Sequence, residues 1–175
     1  MAIRPIRLYP DPVLRVRCAD VVELDDELRR LVSDMIETMH AAPGVGLAAP
    51  QVGIEQRVAV VDLSVGEDPA QIHVLINPAV VRKEGLVTEA EGCLSIPGIT
   101  EKVDRPEMVT VRALDLEGKP IELEAEGWLA RAISHEIDHL DGVLFVDHLR
   151  GLRREKVRRQ LRKLVHESEG AGGRS

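Results

Sequence analysis

Ala132-Ile-Ser-His135-Glu136-Ile-Asp-His139-Leu-Asp-Gly142 carries two histidines four positions apart, with a glutamate directly after the first. In a helix that spacing puts both imidazoles on one side, about one turn apart, where they can reach a single metal ion. Glu136 points about 100° round the helix from His135, a poor position for a third ligand but a good one for reaching a water beside the metal. Trp128, Ala132, His135 and His139 share one helical face, and Leu129, Ile133, Ile137 and Leu140 form the neighbouring apolar one. The stretch therefore predicts a partly buried metal-binding helix over about 128–140, stopped by Gly142.

Working outward, residues 108–114 and 121–126 are rich in β-branched side chains and flank Asp115-Leu-Glu-Gly118, which reads as a hairpin or a broad turn. Residues 57–63 and 73–77 are further strand candidates, separated by a polar loop around Gly66 and Pro69, with 80–87 pairing beside them. Upstream, Asp25 or Asp26 is a fitting N-cap for an amphipathic helix in which Leu28, Leu31, Val32, Met35, Ile36 and Met39 recur up to Pro43-Gly44. Helix, strands, then helix predicts an α+β fold rather than alternating βαβ units. Antiparallel or mixed β-sheets should pack around the central metal-binding helix, with an N-terminal and a C-terminal helix.

A chain of 175 residues, 44% hydrophobic and 30% charged, fits one globular domain. With one Trp, one Tyr and one Phe, its core must be aliphatic. There is no apolar run of spanning length and no signal-peptide pattern near Met1, so a cytoplasmic protein is expected. The net charge of -7 is uneven: eight Lys/Arg against Glu155 alone give residues 150–166 a charge of +7. The expected organisation is a domain over 1–149, a basic terminal helix over 150–168 and a disordered tail over 169–175.

Two histidines need a third ligand. The zinc-endopeptidase pattern H-E-x-x-H-x-x-G-x-x-H continues to Gly142 and then meets Phe145 where a histidine is required; His148 misses the register by three. Glu155 and Glu167, the alternatives downstream, lie in the basic terminal helix. Upstream, Cys93 stands in Glu91-Gly-Cys-Leu-Ser-Ile-Pro97, too irregular a segment to be merely a core strand, and Cys with two His is a known catalytic set that leaves one position open. Cys18 reads as a small buried hydrophobe. Gly44-Val-Gly-Leu-Ala-Ala-Pro-Gln51-Val-Gly53 fits no phosphate loop, and its small residues suit a backbone that something must approach closely.

Gly44-Val-Gly-Leu-Ala-Ala-Pro-Gln51, Glu91-Gly-Cys-Leu-Ser95 and His135-Glu-Ile-Asp-His139 together resemble the three motifs of bacterial-type peptide deformylases, in their order and approximate spacing. The resemblance covers nearly the whole chain. It departs at Ser134, where the family usually has Gln, and at Glu89, where relatives often place an apolar pocket residue. It implies that Cys93, His135 and His139 hold one divalent metal, Fe(II) in the cell, with Zn(II), Ni(II) or Co(II) also accepted. It implies Glu136 as the acid/base, and the Gln51 amide and the Leu94 N–H as donors to the developing oxyanion. The nascent N-formylmethionyl peptide would lie along the backbone of Val45, Gly46 and Gly92, its methionine near Val45, Trp128, Arg131 and Ala132. By resemblance Glu91 pairs with Arg105. The basic terminal helix has two readings, a solvated amphipathic helix or a ribosome-docking one. A monomer without membrane contact is expected.

Overall fold

The structure, a computed structural model, describes residues 2–172. Helix α1, Asp26–Ala41, begins where the Asp25 carboxylate accepts the Leu28 N–H at 3.0 Å, satisfying one of the four unpaired donors of a helix start. Its apolar stripe, including Leu28, Leu31, Val32, Met35 and Met39, is buried. That stripe packs on Leu47, Val58, Val60 and Ile76 of the sheet behind it.

The principal sheet has five antiparallel strands in the order β1 (Gly46–Ala48), β2 (Val58–Val61), β3 (His73–Glu84), β6 (Met108–Leu114) and β7 (Pro120–Glu126). The expected strands at 73–77 and 80–87 are largely one, β3, with shifts of register between Ile76 and Ala79 and again before Arg82. Pro78 has no N–H to give the ladder, and Asn77 takes a left-handed φ of 51°. The Asn77 side chain is used there: it accepts the Val21 N–H at 2.7 Å and donates to the Val21 carbonyl at 3.0 Å. β6 and β7 form the expected hairpin, in which Asp115 Oδ1 accepts the N–H groups of Glu117 and Lys119.

A second sheet corrects the reading of 91–97 as irregular. β4 (Val87–Cys93) and β5 (Ile96–Arg105) pair antiparallel, turning at Leu94 and Ser95. The pattern was hidden because Glu91 and Arg105, both charged, are buried on this hairpin.

Helix α2, Gly127–Leu140, lies between the sheets, against β1, β2, β6 and β7 on one side and β5 on the other. Its last carbonyls are tied down: Leu140 O accepts from Cys18 N at 2.8 Å and from Arg57 Nη1 at 3.0 Å. At Gly142, with φ 75°, a Cβ would lie 2.5 Å from the Arg15 carbonyl oxygen, so the chain passes only because no side chain is there.

Helix α3, Gly151–Gly172, buries Val157 and Leu161 with Leu14, Ile99, Phe145 and Leu149. Leu152 is 90% exposed, because five positions separate it from Val157 and turn it about 140° away. The helix also runs past 168, through Glu169 and Ala171; only 173–175 of the expected tail lie outside the described residues.

Candidate metal centre and active site

Cys93 closes β4, while His135 and His139 stand one turn apart on α2, so the packing of hairpin on helix brings the three together. Cys93 Sγ lies 3.3 Å from His139 Nε2, which lies 3.2 Å from His135 Nε2. All three ligand atoms fall within 4.8 Å of one another. Tetrahedral ligation with metal–nitrogen bonds of 2.0–2.1 Å would hold two ligand nitrogens about 3.3 Å apart, so the donor set fits one divalent cation and leaves a fourth position for water or substrate. Phe145, at the register where an endopeptidase would need a histidine, is instead core, stacked on His135 with ring centroids 6.1 Å apart.

A buried charge network fixes the ligands. Glu91 Oε2 stands 2.7 Å from His135 Nδ1, which assigns the ring proton to Nδ1 and leaves Nε2 free as a ligand. Arg105 grips the same carboxylate through Nε at 3.0 Å and Nη2 at 2.7 Å, the bidentate form that only a guanidinium offers. Burial opposes ionisation of Glu91, but these bonds from His135 and Arg105 prevail and hold its pKa at about 2. Burial also works against charge on His135, yet its bonds to Cys93 and Glu91 hold its pKa well above the ordinary value. Burial and the neighbouring His135 hold His139 well below it. A cation held by the three atoms would take the place of the shared protons, since it would need thiolate and free imidazole nitrogen.

The Glu136 side chain lies against β1. A Cβ on Gly46 would come within 2.6 Å of Glu136 Oε1, so the glycine is the space the carboxylate occupies. Burial pushes this carboxyl up to about 7 against the pull of His135, and its Oε2 has no hydrogen-bond partner among the described residues. A carboxyl with a pKa near the operating pH can both take and return a proton. Gln51 is equally fixed: Oε1 accepts the Ala48 N–H at 2.9 Å, while Nε2 donates to Ser95 Oγ at 3.1 Å and lies 3.7 Å from Cys93 Sγ. Leu94, next to Cys93 at the hairpin turn, rests on Gly44, where a Cβ would meet its Cδ1 at 2.7 Å.

The expected peptide-binding residues divide into two groups. The Val45 carbonyl is already taken by Asp62 N at 2.8 Å. Because one residue's N–H and C=O point to the same side of a strand, the Gly46 pair faces the open edge of the sheet, away from β2. Gly92 is exposed on β4, Val45 is 43% and Trp128 58% exposed, and Ala132 is buried on α2. Arg131, read as a pocket wall, instead sends its guanidinium inward to Glu91 Oε1 at 3.1 Å and to the carbonyls of Val103 and Val87 at 2.9 and 2.8 Å. It clamps α2 to the hairpin, with Cζ 5.8 Å over the Trp128 ring. Sequence reasoning missed this clamp and the Glu91–His135 contact. The signal was a carboxylate and an arginine at strand positions that should have been apolar. Cys18 is buried, and burial raises its thiol to about 11, which suits packing rather than ligation.

Comparison with known proteins agrees with this geometry. Residues 3–155 match the family model described as polypeptide deformylase. The peptide deformylase of Alkalilimnicola ehrlichii is 54% identical over 176 residues, covering 100% of this chain and 98% of the relative. The crystal structure of a peptide deformylase from Legionella pneumophila is similar at a TM-score of 0.88 and 45% identity, covering 96% of this chain and 98% of that one. A Synechococcus elongatus peptide deformylase, crystallised in complex with actinonin, matches at a TM-score of 0.79 and 47% identity, over 84% of this chain and 79% of its own.

Proposed function

The chain belongs to the polypeptide deformylase family, whose members are metal-dependent hydrolases that remove the N-formyl group of newly synthesised polypeptides; from that premise we propose how its residues divide the reaction. Cys93, His135 and His139 hold the metal, a reading supported by their three mutually facing ligand atoms. The chemistry such a cation supplies is Lewis acidity toward an oxygen and a lowered pKa for water.

The protein's own groups do the rest. Glu136 takes the proton of the attacking water, keeps it on a carboxylate shielded from solvent, and returns it to the amine nitrogen as the formyl C–N bond breaks, giving formate and a free N-terminus. The Gln51 Nε2 amide and the Leu94 N–H are the donors for the oxygen that gains charge on the way, and losing one such donor costs about 3 kcal/mol of transition-state stabilisation. Gly46 and Gly92 present bare backbone to the formylated peptide, which adds as a strand at the open edge of β1. Val45, Trp128 and Ala132 stand where the methionine side chain enters, and Arg131 acts by holding that wall in place.

The observation that carries the reading is the buried Glu136 carboxylate, packed on Gly46 beside the Cys/His/His group with its Oε2 unpartnered among the described residues. The test is formate release from a formyl-Met peptide beside cleavage of an internal peptide bond. Wild type should release formate and leave internal bonds whole. Glu136→Gln should retain metal but lose at least a hundredfold in kcat, and full activity in that variant overturns the role.

Fe(II) is our reading of the cellular metal, since a Cys/His/His site admits several divalent ions and availability selects among them; metal analysis after anaerobic purification tests it. Among the described residues no helix is long and apolar enough to cross a membrane. We read the protein as a cytoplasmic monomer whose terminal helix belongs to the catalytic domain, supported by the burial of Val157 and Leu161. We also read its exposed basic face, with Arg159, Arg162 and Lys163, as an electrostatic footprint for the ribosome. Neutralising those three side chains should weaken ribosome binding and flatten its salt dependence; unchanged binding sinks the docking reading.

A further inference from the structure

His148 is the last residue of a 3-10 turn, Phe145–His148, and is 38% exposed at its side chain. It belongs to no recognised part of the site. Its Nε2 lies 2.7 Å from Asp138 Oδ2, and Arg105 Nη1 reaches that same oxygen at 2.6 Å. The two donors are themselves 3.5 Å apart. Since the Asp138 carboxylate is acceptor only, the imidazole offers its Nε2–H to the shared oxygen at 2.7 Å, and it then has no lone pair on that nitrogen for Arg105. Asp138 thus has one carboxylate oxygen held from two sides, by α2's neighbours in β5 and in the 3-10 turn.

The chain of contacts runs inward without a break. Arg105, fixed by Asp138 through Nη1, turns Nε and Nη2 onto Glu91. Glu91 Oε2 in turn meets His135 Nδ1 at 2.7 Å. Each link is a charged hydrogen bond between side chains that are buried or partly buried, where a lost partner leaves a neighbour free to swing. Only His148 stands at the surface end.

We infer that His148 is a positioning residue for the metal ligand His135, acting through Asp138, Arg105 and Glu91. This rests on the reading of His135 as a ligand. Removing the imidazole leaves Asp138 with Arg105 alone, free to rotate, and loosens the grip that orients Glu91 on His135 Nδ1. Partners of that kind influence metal affinity by about 10- to 100-fold when they touch a ligand directly. Through three intervening residues the effect belongs at the low end, about tenfold.

The test uses the full chain loaded with Co(II), whose visible absorption reports ligand geometry. Wild type, His148→Leu, His148→Asn and His148→Gln are compared by that spectrum and by the rate at which a chelator strips the metal. Leu offers no donor, the Asn amide is too short to reach Asp138, and the Gln amide places a nitrogen near the imidazole Nε2. The expected result is an altered spectrum and about tenfold faster release in His148→Leu, the same loss in the more conservative His148→Asn, and recovery to within about twofold in His148→Gln. Wild-type spectra and release rates in both His148→Leu and His148→Asn overturn the inference. So does a loss that Gln fails to restore, which would mark His148 as packing only. A wild-type chain that takes up no cobalt would overturn the ligand reading together with it.

Discussion

Gly46 makes the room that Glu136, the proposed acid/base, needs, because the carboxylate lies where a β-carbon would be. Gly46→Ala should therefore lower kcat by displacing Glu136, while cobalt uptake and fold stay near wild type; steady-state kinetics beside a Co(II) spectrum check this. A second residue-scale prediction concerns Asp62, buried at the end of β2. Burial opposes its ionisation, but bonds from the Ser64 hydroxyl, His40 and the Gly66 and Ser64 N–H groups prevail and hold its pKa at about 2. A depressed folded-state pKa stabilises the fold above the ordinary carboxylate value of about 4, and that stability drains away as pH falls toward 2. Its size is on the order of 2 kcal/mol. Thermal melts from pH 6 to pH 2 should show Asp62→Asn losing stability at the upper end and converging on wild type at the lower.

Elements were legible in proportion to how well their inward positions obeyed hydrophobic period. α1 and α2 were readable to within a residue or two at their ends, and the β6–β7 hairpin at its turn, because Leu, Ile, Val and Met mark the buried face. The β4–β5 hairpin was not, since Glu91 and Arg105 occupy positions that a pattern search expects to be apolar. β1 was opaque for another reason: a three-residue strand of Gly, Leu and Ala carries too little pattern to declare itself. The proposed site residues rest on motifs, and the inward turn of the Arg131 guanidinium was not legible because nothing in sequence tells an arginine stem along a pocket from a guanidinium turned inward. α3 offers a direct contrast. Leu161→Ala, in the core, should cost about 2–4 kcal/mol, and Leu152→Ala, at 90% exposure, no more than about 0.5 kcal/mol. Urea unfolding of the two variants decides it.

For the whole molecule, the metal centre is also a joint. Its ligands come from the small hairpin and the central helix, and the hairpin pairs only with itself among the described strands. A ligand that binds the folded chain alone stabilises it by mass action, about 4 kcal/mol at a thousandfold excess over Kd. Stripping the metal should therefore lower Tm by several degrees, and re-adding it should restore the loss; a melt indifferent to metal would argue against the joint.

That arrangement gives oxygen a mechanical route to damage. Cys93 is the hairpin's one contribution to the ligand group, and a thiolate carried up the oxidation ladder to its sulfonic form does not return. The lesion would remove a donor and at the same moment cut the tether between β4 and α2, leaving the hairpin held by the Arg131–Glu91 and Arg105–Asp138 contacts to the helix and by the packing of Ile96, Ile99 and Val103. Oxidative ageing of this protein would thus strike its chemistry and the seating of the hairpin on the helix in one event.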